Sequence, residues 1–61
     1  MTTAELLRLL KKNGCKLVGH NKKHDMYWSP ITGNTFMVGR HAKEEVRSGT
    51  VRAILKAAGI K

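Results

Sequence analysis

The chain has 61 residues, with 12 Lys and Arg against 4 Asp and Glu, a formal net charge of +8 at pH 7 and a pI near 10.3. That length leaves room for a single domain over residues 1–61, whose thin core buries only about 60% of the surface of the unfolded chain. The longest uninterrupted aliphatic run, Ala53-Ile54-Leu55, is far short of the roughly 20 residues of a membrane span, so no membrane association is expected.

The opening residues run straight into an amphipathic pattern with an acid at Glu5, unlike a secretory signal, and the lone Cys15 has no partner for an internal disulfide. Both features point to a reducing, cytoplasmic setting. The excess of positive charge calls for an anionic partner, because each phosphate neutralised by Lys or Arg releases a condensed counterion. Nucleic acid is the first candidate and an acidic protein the second.

In chain order, Thr2-Thr3-Ala4-Glu5 fits a capping box, and a helix follows. Leu6, Leu9 and Leu10 form its apolar stripe with Leu7 on the shoulder, Arg8, Lys11 and Lys12 fall on the other side, and Asn13-Gly14 ends it. From Cys15 to Gly39 the period changes. Residues 15–18, 24–28 and 35–38 are short β-branched, aromatic or alternating runs, separated by Asn21-Lys22-Lys23 and by Ser29-Pro30-Ile31-Thr32-Gly33-Asn34, both of which carry turn chemistry. Connections this short make antiparallel hairpins, hence a three-stranded meander. Residues 40–46 form a polar connection with room for a helical turn. A last helix starts near Ser48-Gly49-Thr50, buries Val51, Ile54, Leu55 and Ala58, and stops at Gly59, with Ile60 placed to fold back on Leu55. The expected fold is α+β, in the order α-β-β-β-α, with both helices on one face of the sheet.

Alternation on the second strand puts His24, Met26 and Trp28 on one face and Asp25 and Tyr27 on the other. The favoured arrangement turns Tyr27 inward with Phe36 and Val38, leaving His24 in water beside an apolar patch of Met26 and Trp28. The alternative turns Met26 and Trp28 inward and draws His24 to the edge of the core.

His20, His24 and His41 are the side chains whose ordinary pKa suits proton transfer near neutrality. In RNA a positioned base can deprotonate the 2′-hydroxyl beside the scissile phosphate while a cation steadies the phosphoryl oxygens, and no cofactor is needed. Lys22 and Lys23 immediately precede His24, and Arg40 immediately precedes His41, so ring and cation come paired. The spacing of His20 and His24 with Cys15 nearby falls short of a four-ligand zinc site, and Glu5, Asp25, Glu44 and Glu45 show no magnesium motif, so no metal is expected. The leucines of the first helix could lie on an anionic membrane, but without them the rest of the chain lacks a core.

With these residues in view, the chain resembles the HicA family of toxin ribonucleases, the mRNA interferases of toxin-antitoxin pairs. The resemblance covers nearly the whole chain and rests on the leucine-rich helix ending in Asn13-Gly14, on His24-Asp25-Met26-Tyr27, on Val38-Gly39-Arg40-His41, and most specifically on the closing segment from Ser48 to Ile60. It implies a fold like a double-stranded-RNA-binding domain, RNA cleavage by a catalytic histidine at His24, and neutralisation by a HicB-like antitoxin. Family members commonly carry Gly-Ser where this chain has Lys22-Lys23, and proline where it has Gly39. The expected site is therefore catalytic His24 with RNA-binding Lys22, Lys23, Arg40 and His41, acting on mRNA without cofactor or metal. The alternative is a non-catalytic RNA-binding module of the same fold, and a third reading is a basic domain that binds an acidic protein.

Overall fold

The computed structural model describes residues 1–60; Lys61, the last residue of the expected domain, lies outside the described residues. The order is α1 (Thr3–Lys12), β1 (Lys16–His20), β2 (His24–Trp28), β3 (Thr35–Gly39) and α2 (Ser48–Ala58), with the strands side by side in sequence order. The α-β-β-β-α order and the antiparallel meander agree with the sequence reading.

The orphan backbone donors at the start of α1 all find acceptors. Glu5 N–H donates to the Thr2 hydroxyl, the Glu5 carboxylate accepts from the Thr2 N–H at 2.9 Å, and Leu6 N–H reaches the Thr2 carbonyl, so the capping box is present. Thr3 and Ala4 donate instead to the carbonyls of Glu44 and Ala42, at 2.9 and 3.0 Å. The helix ends at Gly14, whose φ of 86° only glycine adopts without strain; there Gly14 N–H meets the Lys11 carbonyl and Cys15 N–H the Leu10 carbonyl. The Cys15 side chain is buried, as a small apolar group following a helix stop should be. The apolar stripe is rotated slightly from the expected one. Thr3, Leu6 and Leu10 are buried and Leu7 packs against the core, while Leu9 sits at the margin.

The first strand runs over residues 16–20 rather than 15–18, because a bulge leaves Val18 unopposed between the pairs Leu17–Tyr27 and Gly19–Met26 and carries the pairing on to His20–Asp25. It is an edge strand with no buried residue. On β2 and β3, Tyr27 pairs with Phe36 and Asp25 with Val38; Tyr27, Phe36 and Val38 face inward and join Leu6, Leu10, Ile54 and Ala58 in one core. Complete burial of an aliphatic side chain such as Leu6 or Leu10 is worth about 1.5–3 kcal/mol, so these few residues supply much of the drive to fold. Both helices contribute to this core and so share one face of the sheet. The opposite face bears the cross-strand pair Met26–Met37, each more than a third exposed, and a half-buried Trp28. The favoured orientation of strand two is therefore the observed one.

In α2, Ile54 and Ala58 are buried and Val51, Leu55 and Ala57 pack around them. Gly59 N–H bonds the Lys56 carbonyl and Ile60 N–H the Leu55 carbonyl at 2.9 Å, completing the helix stop read from the sequence. The β2–β3 loop then docks beneath this end. Fully buried Ser29 donates its hydroxyl to the Ala58 carbonyl at 2.5 Å and accepts from Ile31 N–H, and Thr32 donates to the Ala57 carbonyl at 2.6 Å. No helix among the described residues is long and apolar enough to cross a membrane.

Candidate active site

The β1–β2 turn is built around Asn21. Its side-chain oxygen accepts the backbone N–H groups of Lys23 at 3.0 Å and His24 at 2.8 Å, while its own N–H donates to the His24 carbonyl at 2.9 Å. Such a turn points Lys22 and Lys23 into solvent and starts β2 at His24, which is exposed. Across the sheet His24 pairs with Gly39, so the residues following β3 come alongside the turn. Arg40 reaches back: its Nε donates to Asp25 Oδ1 at 2.9 Å and a terminal nitrogen donates to the Asn21 carbonyl.

Residues 41–46 form no helix. They make one hydrogen-bonded turn, Glu44 N–H to the His41 carbonyl, and are tied to the start of the chain by the α1 donors already described, by Val46 N–H on the Met1 carbonyl, and by the Met1 amine on the Glu45 carboxylate. That anchoring places the connection opposite the β1–β2 turn and encloses a cleft of about 930 Å³. His24, Lys22, Lys23, Arg40 and His41 all line it. The five residues expected from the sequence therefore come together, although they lie in two segments about 15 positions apart. A shallower hollow of about 330 Å³ lies against the turn 21–24 alone. His20, by contrast, ends β1, is exposed, and does not line the cleft.

The cleft also holds groups that the sequence reading missed. Arg47 and Thr50 line its far wall at the start of α2, where no side chain caps the helix and no acid occupies the first turn. The positive end of the helix dipole is thus left uncompensated and adds to the field of the lysines. The available signal was the contrast with α1, which has both a capping threonine and Glu5 in its first turn. Glu44 and Glu45 stand on the same rim and temper the charge on that side.

On the core side of β2, burial first and the Asp25 carboxylate second raise the Tyr27 phenol above its ordinary pKa. Among the described residues, no three His, Cys, Asp or Glu side chains group to hold a metal ion. What the cleft offers is a solvent-facing imidazole between ammonium and guanidinium groups, an arrangement able to move a proton while holding a polyanion.

Residues 3–60 match the family described as HicA toxin of bacterial toxin-antitoxin. The chain belongs to that family. No curated protein and no solved structure matches it significantly. Membership makes this HicA-family chain a toxin that works within a toxin-antitoxin pair, and the match spans both helices, the whole sheet and every residue of the cleft.

Proposed function

We propose that this HicA-family toxin is a metal-independent endoribonuclease that cuts mRNA in the cytoplasm, that residues 1–61 fold as a single domain, and that a HicB-like antitoxin neutralises it. The observation that carries the reading is the convergence of an exposed His24 with Lys22, Lys23, Arg40 and His41 on one open cleft. His24 acts as general base or acid. As base, its ring takes the proton of the 2′-hydroxyl, the resulting oxyanion attacks the adjacent phosphorus, and the bond to the 5′-oxygen breaks as that oxygen takes up a proton. The products are a 2′,3′-cyclic phosphate and a 5′-hydroxyl. Lys22, Lys23 and His41 hold phosphates along the cleft, and Arg40 contributes the guanidinium N–H groups not engaged by Asp25 and Asn21. The likeness to double-stranded-RNA-binding domains belongs to the same proposal.

The test is incubation of purified protein with single-stranded RNA in the presence of a chelator. Wild type is expected to leave cyclic-phosphate ends, and His24→Ala to lose cutting by about 10²–10⁴-fold with an unchanged melting midpoint. Full cleavage by the variant would reject the assignment of His24, and intact RNA that is nonetheless retained at low salt would leave a binding module of the same fold. For the antitoxin, covering His24 and the adjoining Met26 and Trp28 is the most economical inhibition; crosslinks that map its contact wholly to the far side of the helices would count against it.

A further inference from the structure

The cations of the cleft differ in one respect. Lys22 and Lys23 are exposed side chains with no ion pair among the described residues, whereas Arg40 is held by an ion pair and by a backbone carbonyl at once. Its carboxylate partner, Asp25, is more sheltered than Arg40 itself, with side-chain exposures of 24% and 39%. Asp25 follows His24 directly and points to the core side of β2, behind the turn rather than into solvent. The second acceptor of Arg40 is the carbonyl of Asn21, the residue whose side chain holds the Lys23 and His24 N–H groups. A planar guanidinium with several fixed donors can serve both acceptors together, which a lysine ammonium at the end of a flexible stem does poorly.

We infer that Asp25 and Arg40 are positioning residues that clamp the Asn21–His24 turn and so fix where the His24 imidazole stands in the cleft. The inference deepens the ribonuclease reading and rests on it for its consequence in catalysis. Without the clamp, the tip of the turn is held by its own hydrogen bonds at the very end of the strand pairings His20–Asp25 and His24–Gly39, and small displacements of a catalytic group cost large factors in rate. Asp25 does not line the cleft, yet a carboxylate so close to a site meant for polyanions would otherwise be a handicap, since it repels phosphate. Facing Arg40, it serves the geometry of the turn.

Two substitutions separate positioning from phosphate binding. Arg40→Lys keeps the charge and loses the fork; Asp25→Asn removes the carboxylate and raises the positive charge toward RNA. Each is expected to lower kcat about 10-fold or more, with KM raised far less than kcat falls in Arg40→Lys, which keeps the positive charge facing phosphate, and unchanged or lower in Asp25→Asn. The salt dependence of RNA binding should stay the same in Arg40→Lys. Independently of any activity, amide exchange at Lys23 and His24 should accelerate about 10-fold in both variants while Met26 and Tyr27 in the middle strand keep their protection. Wild-type kcat within two-fold in both variants, or unchanged exchange at Lys23 and His24, would overturn the clamp. Should wild type fail to cut RNA at all, the ribonuclease reading falls by itself, and the exchange rates still decide whether the clamp holds.

Discussion

The two ends of the sheet are built on opposite plans. At one end the β2–β3 loop lies under the C-terminus of α2, with the buried Ser29 hydroxyl and the Thr32 hydroxyl bonded to the last helical carbonyls and Ile31 against Gly59. At the other, the β1–β2 turn and the residues after β3 stand apart from the start of α2, and the gap between them is lined by Lys22, Lys23, His24, Arg40 and His41. One end satisfies polar groups internally around the fully buried Ser29 and Ala58; the other leaves charged groups and helix N–H groups to be met from outside. On the proposed function, stability and activity fall to different ends of a very small molecule, and substitutions should sort accordingly.

The sharpest way to break this contrast is at Gly59. Its φ of 77° is left-handed, and a Cβ there would stand 2.7 Å from Ile31 Cγ2. Gly59→Ala should cost about 2–5 kcal/mol, combining about 1–2 of backbone strain with about 1–3 of overpacking. Chemical denaturation reads the loss, and RNA cutting per folded molecule should be unchanged. Next is Ser29→Ala, which strands the Ala58 carbonyl and the Ile31 N–H and should cost about 1–3 kcal/mol by the same measurement. Thr2→Ala removes the cap of α1 and should cost about 1 kcal/mol.

The capping box also has a pH signature. Hydrogen bonds from the Thr2 backbone and then the Thr2 hydroxyl hold the Glu5 carboxyl below its ordinary pKa. A lowered folded-state value gives stability that is present above the ordinary carboxylate pKa and lost as pH falls through the folded value. Thermal melts of wild type and Glu5→Gln between pH 7 and pH 3 should therefore converge as the pH drops. At the open end, replacing Lys22 and Lys23 together by alanine should leave the melting midpoint unchanged. It should flatten the slope of log K against log[salt] for single-stranded RNA by about 1.4, that is, about 0.7 for each lost phosphate contact. A large stability loss from this pair would erase the division between the two ends.

Much of this division was legible beforehand wherever local chemistry decides it. Thr2 and Glu5 announced the first helix, Gly59 with Ile60 the end of the last, and the alternation around Tyr27, Phe36 and Val38 the inward face. The choice between the faces of β2 was a matter of energy, since an ionisable His24 is cheaper to leave in water than Tyr27 is to expose. What escaped the reading was contact between distant segments that no local pattern encodes. The seating of Ser29 under Ala58, the reach of Arg40 to Asp25 and the pairing of Thr3 with Glu44 use ordinary surface residue types, and two of the three use backbone carbonyls, which every residue possesses. The displacement of Leu9 from the core in favour of Leu7 likewise depends on how α1 is rotated by its neighbours, which helical spacing alone leaves free.

The bonding of Thr3 to Glu44, 41 positions away, bears on how the toxin comes into being on the ribosome. One wall of the cleft is made by the start of α1 gripping a stretch synthesised 41 positions later, and α2 follows later still. Long loop closures of this kind come late because their entropic cost precedes their reward. A nascent chain arrested before Glu44 would possess His24 yet lack the wall opposite it, so a truncated translation product is expected to be harmless to the cell that makes it.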